Sequence, residues 1–530
     1  MTDWVLRGGK VIDGSGTPRY RADIAVSRGR IAHILEPGEA ASGDVVDASG
    51  FVISPGFIDM HAHSDLAVLS DPTHIAKVSQ GVTLEVVGQD GLGYSPVNGD
   101  VMAVIRDQIT AWNGHPDLDY SWRTIAEYLD RVDQNAPVNV AVLVPHGAVR
   151  MTVMGESSRA ATADELRSIR EIVAQGLRDG AVGMSTGLTY TPGMYASDDE
   201  IVDALAAVRE FGGYYCPHHR NYGSRVIESY IDCIDIARRA GVALHLTHCH
   251  VNFPRNKGRA SEVLAAIDSA VAEGLDITTD SYPYLAGASY LAALLPSWTR
   301  SEGSEVTIGL LKEPSSRRRI LHEVEVDGSD GHHGIPADWD TVIISSVKEP
   351  SNNWALGRSI AELARGRSTT GGSVFADLLV ADSLGTGSLS MVGNEENVRT
   401  VMCHTAHTVG TDGILVGSHP HPRGWGTFPR FLGTYVRDLE LMSLEEGIVH
   451  VTSRPARRLG LVDRGLISEG FWADLVVFDP DTIASPATYE DPKLKPIGIP
   501  HVFVNGEIAL QNGRRTTALP GRAIRRPTKK

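Results

Sequence analysis

The run Gly56-Phe57-Ile58-Asp59-Met60-His61-Ala62-His63-Ser64-Asp65 is a short apolar stretch that ends in two histidines one residue apart. On a β-strand, residues i and i+2 point to the same face, so His61 and His63 can aim their imidazoles at one point. A metal ion requires that convergence; two polar residues at a bare strand end do not. Downstream, short apolar runs that read as strands recur at 82–88, 139–145, 181–186, 213–218, 243–248, 276–281 and 408–412, after a first one at 56–62. Helical stretches such as 163–179 and 198–211 lie between most of them. This alternation predicts a parallel β/α array. Eight such strands predict a (β/α)8 barrel of the TIM type, with its active site at the C-terminal strand ends.

Outside the barrel, residues 3–54 break into short strands at 4–12, 24–27, 31–35 and 45–47, punctuated by Gly8-Gly9, Asp13-Gly14-Ser15-Gly16 and Arg28-Gly29. The texture returns at 473–478 and 502–508, where Asn505-Gly506 marks a hairpin turn. The two ends predict one small antiparallel β-sandwich domain, 1–54 plus 465–520, beside a barrel domain at 55–464. The gap after the seventh strand is too long for one helix and loop, and predicts an insertion at about 285–375.

A chain of 530 residues exceeds what one hydrophobic core supports, and 42% hydrophobic with 22% charged residues is ordinary for a globular protein. The net charge of −16 argues against nucleic acid or an anionic membrane surface as partner. No apolar run reaches the length of a membrane span. The basic tail, Arg522, Arg525, Arg526, Lys529 and Lys530, reads as short and disordered. Cys216, Cys233, Cys249 and Cys403 form no C-x-x-C pair, so neither a zinc ribbon nor a disulfide framework is indicated. A reducing cytoplasm is the expected compartment, and no signal peptide is visible. The oligomeric state stays open, a homo-oligomer included.

The strand ends carry the chemistry. The first has His61 and His63, the second Gln89-Asp90-Gly91, the third Pro145-His146-Gly147, the fifth Pro217-His218-His219, the sixth Thr247-His248-Cys249-His250, and the eighth Thr411-Asp412-Gly413. One such histidine is ordinarily structural. Its recurrence at mouth after mouth is hard to explain by packing, because buried imidazoles and carboxylates need partners. The pattern predicts a metal site of nitrogen and oxygen ligands, which suits Zn2+ best and leaves other divalent transition metals open. A catalytic metal needs an acceptor beside its water that takes a proton and later protonates the leaving group. Asp412 fits that role, and it also reads as a turn or cap aspartate before Gly413. By strand parity His219 points away from His218. His146 reads as a candidate pocket residue, Arg220 as a structural ion-pair partner and Cys249 as core.

With these residues the chain resembles the amidohydrolase superfamily, and within it the N-acyl-D-amino-acid deacylases (D-aminoacylases). The likeness runs from Gly56 to about Asp479. It rests on the Gly56 to His63 run, on Ser185-Thr186-Gly187-Leu188 with Tyr190, Pro192 and Gly193, and on Asp280 with Tyr282-Pro283-Tyr284. It also rests on His419-Pro420-His421-Pro422-Arg423, Gly426-Thr427-Phe428-Pro429-Arg430, and Thr452-Ser453-Arg454-Pro455-Ala456-Arg457-Arg458-Leu459-Gly460. The resemblance implies a zinc-dependent amidohydrolase, holding one or two Zn2+ ions, that cleaves the linear amide of N-acyl-D-amino acids with metal-activated water. It implies that His61 and His63 bind one metal position, that His218 and His248 bind the other, and that Asp412 is the general acid/base. It further implies that Arg423 receives the carboxylate of a small-molecule substrate, as a guanidinium does bidentately, with Tyr282 sharing that job.

Two positions depart from the family pattern. Asp90 stands where the family has a cysteine ligand, so it is the bridging candidate, or else a turn residue before Gly91. His250 stands where the family often has a lysine, and reads equally as a substrate contact or as a histidine behind the site. Three other readings stay open: hydrolysis of a cyclic amide or a D-residue dipeptide; a non-catalytic barrel; and a serine hydrolase at Gly183-Met184-Ser185-Thr186-Gly187. The last is opposed by Thr191-Pro192-Gly193, which breaks the helix start that a nucleophile elbow needs.

Overall fold

The computed structural model describes residues 2–39 and 42–526. Its central sheet has eight parallel strands hydrogen-bonded in chain order: β1 Phe57–Asp59, β2 Val82–Val87, β3 Asn139–Pro145, β4 Gly183–Gly187, β5 Tyr214–His218, β6 Ala243–Leu246, β7 Ile277–Ser281 and β8 His407–Val409. Asp412 N donates to His61 O at 2.8 Å, and Ala62 bridges Gly413, so β8 returns to β1 and the barrel closes. Along β3, Val140, Val142 and Val144 pack outward with helix residues such as Ile125 and Leu129. Ala141 and Leu143 face inward with Ile58, Leu84, Val86 and Cys216. Several strands end earlier than the apolar runs suggest. His248 and Asp412 have positive φ, which turns the chain out of β6 and β8 at the mouth.

Both termini build a second unit. Trp4–Arg7, Asp23–Ser27, Arg30–Leu35 and Asp44–Asp47 form a four-stranded sheet, and Lys10–Val11, Tyr20–Arg21 and Val52–Pro55 join Leu475–Phe478, His501–Val504, Glu507–Gln511 and Arg514–Arg515 in a seven-stranded one. Leu6, Ile24, Val26 and Ile31 of the first share a core with Val11, Ile53, Leu475 and Phe503 of the second, making a sandwich. The sheets are mixed rather than antiparallel: Trp4–Arg7 pairs in parallel with Asp44–Asp47, and Lys10–Val11 with Val52–Pro55. The run read as one strand at 4–12 is split at Gly8, whose φ of +81° sends the chain from one sheet to the other.

After β7, Gly287–Tyr290, Val342–Ser346 and Gly387–Ser390 pair as a three-stranded antiparallel sheet. The last of these lies beyond residue 375, so the excursion is longer than the sequence suggests. The basic tail is not disordered as far as Arg526. Ile524 N donates to Val140 O, and Arg525 pairs with Asp130 and Asp133 at 2.9 and 2.6 Å, giving the tail both a backbone and an ionic anchor. Lys529 and Lys530 lie outside the described residues. Among the described residues, no helix is long and apolar enough to cross a membrane.

A buried charge pins the seam of the barrel beneath the site. Lys77 Nζ donates to Asp59 Oδ2 at 2.5 Å and to Thr411 Oγ1 at 2.7 Å, while Asp59 Oδ1 accepts from Thr411 N at 2.8 Å. All of this is fully buried. Lys77→Met is expected to destabilise the fold by about 3–5 kcal/mol, because Asp59 loses its counter-ion in the interior. Denaturant unfolding of the two proteins measures the difference; an unchanged midpoint would contradict it.

Candidate active site at the barrel mouth

Asp90 is the hub. Its carboxylate lies 3.5 Å from His61 Nε2, 3.4 Å from His63 Nε2, 3.3 Å from His218 Nδ1 and 3.5 Å from His248 Nε2. Two sets of donor atoms therefore fall within metal-binding reach of one another, His61, His63, Asp90 and Asp412 on one side and Asp90, His218 and His248 on the other. The turn reading and the ligand reading of Asp90 coincide. At φ +56° it occupies a tight turn before Gly91, and that turn aims its side chain at the histidines. β4 holds the turn in place: a Cβ on Gly187 would lie 1.9 Å from Asp90 O, so only glycine permits the approach. Ser185 Oγ donates to Gly88 O at 2.6 Å and accepts from Gly91 N at 3.1 Å. That hydroxyl is committed to the Asp90 turn and is not a free nucleophile.

Asp412 completes the opposite wall. Its Oδ1 is 3.1 Å from His63 Nε2 and 3.6 Å from His61 Nε2, and its Oδ2 is 2.9 Å from Arg423 Nη1. Burial opposes its ionisation, but the charges of Arg423 and His61 outweigh that and hold the carboxyl well below the usual carboxylate range. Asp90 behaves alike: burial opposes, and His218, His61 and His248 hold it low. Burial pushes His63 down, yet its hydrogen bonds to Asp412 and Asp90 raise it to about 9. Two buried anions thus draw positive charge to the centre of the cluster. His61 Nδ1 and Nε2 and Asp90 Oδ1 are buried with no hydrogen-bond partner. Such atoms are costly unless a ligand takes them up, and a borderline divalent ion such as Zn2+ matches this nitrogen and oxygen set.

Arg423 is fully buried, and Nε, Nη1 and Nη2 make no aligned hydrogen bond. Its guanidinium lies 4.4 Å from the centre of the Tyr282 ring, so Tyr282 meets it with its face. The His250 ring packs at a tilt against Tyr282, their centres 4.1 Å apart. Burial pushes His250 down to about 3, so it lines the pocket as a neutral ring and adds no positive charge.

His146 does not join the site. It begins the helix His146–Met154 and turns to Glu200, 3.3 Å away. His219 packs between Tyr222 and Tyr230, Arg220 pairs with Asp198 at 2.8 Å, and Cys249 is buried. The sequence reading missed Asp280 as a site residue. Its carboxylate accepts from His248 N at 2.7 Å and lies 2.9 Å from His245 Nε2 and 3.6 Å from His61 Nδ1. It orients two candidate ligands, the usual task of a carboxylate behind a metal site. Its place near the end of β7 was the available signal. Trp112, Phe253, His332 and His333 also line the cavity, and none belongs to a motif that announces it; Tyr190 lines it too, from the motif that begins at Ser185.

Residues 44–510 match the Amidohydrolase family. The chain is 33% identical to D-aminoacylase of Alcaligenes xylosoxydans xylosoxydans, over 99% of this chain and 98% of that one. It is 35% identical to N-acyl-D-glutamate deacylase of the same organism, over 99% and 96%. The solved structure of N-acyl-D-glutamate deacylase from Bordetella bronchiseptica, complexed with zinc and a phosphonate inhibitor that mimics the tetrahedral intermediate, superposes with a TM-score of 0.83 at 31% identity, covering 99% of both chains. The chain belongs to the amidohydrolase family.

Proposed function

We propose that this chain is a zinc-dependent deacylase that hydrolyses the amide bond of N-acyl-D-amino acids. The observation that carries the reading is Arg423, a buried guanidinium with uncommitted N–H groups, 2.9 Å from Asp412 and on the wall of the cavity that holds the histidines. A substrate carboxylate bound there is fixed in two places at once, which holds its amide over the cluster. The named activities of the relatives support the same substrate class. When bound, a divalent ion supplies Lewis-acid polarisation of the acyl oxygen and acidifies the attacking water. Asp412, kept ionised, accepts the proton of that water as its oxygen bonds to the acyl carbon. As the C–N bond breaks, Asp412 returns the proton to the leaving nitrogen, giving a carboxylic acid and a free D-amino acid. Four free thiols suit a reducing cytoplasm.

Chelation is expected to abolish turnover of an N-acyl-D-amino acid, added zinc to restore it, and the L-form to resist. Arg423→Met is expected to raise KM by about tenfold to a hundredfold, the worth of a lost charged hydrogen bond. Full turnover after chelation, or equal rates on D and L forms, would overturn the reading.

A further inference from the structure

Five non-glycine residues with positive φ line the cavity: Asp90 at 56°, His248 at 29°, Asp412 at 47°, Phe253 at 67° and His333 at 62°. Such backbone is unfavourable for a residue with a Cβ, and it persists where the surroundings over-determine it. Three of the five belong to the cluster already described. Phe253 and His333 have no part in that chemistry. Phe253, with ψ of 145°, lies close to a region that is almost exclusively glycine's.

Hydrogen bonds impose both conformations. Phe253 N donates to Val392 O at 2.7 Å, and Phe253 O accepts from Asn394 Nδ2 and Asn256 N, each at 3.0 Å. His333 O accepts from Ser224 N, Ser224 Oγ and Asn221 Nδ2, each at 3.0 Å. The two rings meet at 6.3 Å, and His333 lies edge-on to Tyr222 at 5.4 Å. The Tyr222 hydroxyl is in turn 3.1 Å from His248 Nδ1. A wall of aromatic character thus runs up to the histidine cluster. It offers no cation. Arg423 is the one lysine or arginine among the described residues lining the cavity, and it faces Asp412. Burial pushes His332 and His333 below the ordinary imidazole value.

We propose that Phe253 and His333 are specificity-determining residues: together they receive an uncharged side chain of the D-amino acid, and substrates with a second carboxylate are refused. This rests on the deacylase reading above. A second carboxylate placed on this wall would lose its water and gain no counter-ion, whereas an apolar side chain gains by burial. The chain would therefore differ in preference from its N-acyl-D-glutamate deacylase relative.

The test is kcat/KM on N-acetyl-D-leucine and N-acetyl-D-glutamate, for the zinc-loaded full chain and for Phe253→Gly and His333→Asn. Glycine suits the Phe253 backbone and asparagine tolerates that of His333, so both variants should keep the fold. The wild type is expected to favour leucine by about a hundredfold or more, on the scale by which apolar pockets and unpaired polar groups discriminate. Phe253→Gly relieves the backbone but gives up a buried ring, so its fold is checked by circular dichroism, and its leucine-to-glutamate ratio is expected to fall about tenfold or more. His333→Asn should lower the ratio in the same direction. A wild type that hydrolyses the glutamate derivative as well as the leucine one, or an unchanged ratio in both variants, would overturn the proposal. Hydrolysis of neither, with zinc bound, would overturn the deacylase reading itself and this inference with it.

Discussion

Asparagine in place of Asp412 is expected to lower kcat by about a hundredfold to ten-thousandfold, the range that one positioned acid/base supplies. The substitution is nearly isosteric, and it keeps an oxygen that can lie near His63 and Arg423. It removes the carboxylate proposed to accept a proton from water and return it to nitrogen. Two checks separate this from a loss of structure. Metal content should remain high, since Asp90, His218 and His248 are untouched and asparagine keeps an oxygen for the set it shares with His61, His63 and Asp90. KM should change far less than kcat, because Arg423, the proposed carboxylate anchor, remains. Steady-state kinetics with metal analysis on the same preparation measures both, and near-normal turnover with metal bound would rule out Asp412 as the acid/base.

Asp90→Ala should be as damaging by a different route. The carboxylate lies within 3.3–3.5 Å of a nitrogen on each of four histidines, so removing it takes a ligand from both candidate positions. Metal affinity is expected to fall by at least about a hundredfold, beyond the 10–100-fold typical of losing a partner behind the ligands. Activity should fall with metal content and recover in part at high zinc. Asp90→Cys gives the contrasting result: a thiolate is a good zinc ligand and the side chain is no larger, so metal binding should survive. Equal zinc content in the wild type and Asp90→Ala would show that Asp90 is a turn residue only.

How much was legible in advance depends on distance along the chain. His61 and His63 are readable together because strand geometry alone puts them on one face. The barrel is readable because apolar runs of strand length alternate with helical stretches, and that signal is local. Asp90 was ambiguous because a turn aspartate and a ligand aspartate look alike until something faces the turn. His146 and His218 sit at equivalent strand ends, yet one is drawn to Glu200 on the next-but-one helix and the other to Asp90. The tail looked disordered because Arg525 finds its carboxylates, Asp130 and Asp133, in a distant segment. Asp280 gave a positional signal that was passed over. Phe253 and His333 gave none, since their backbone strain is imposed by hydrogen bonds from Asn394, Ser224 and Asn221.

Periodicity and residue type by themselves determined a parallel β/α barrel, a β unit drawn from both ends, and a supply of imidazoles and carboxylates at the strand mouths. These follow from interactions between near neighbours. Only the tertiary structure decided that one aspartate faces two pairs of histidines, that Arg423 meets Asp412, and that a strained phenylalanine and histidine share their cavity. Those juxtapositions depend on barrel closure, which brings the ends of non-adjacent strands and the excursion after β7 to one point.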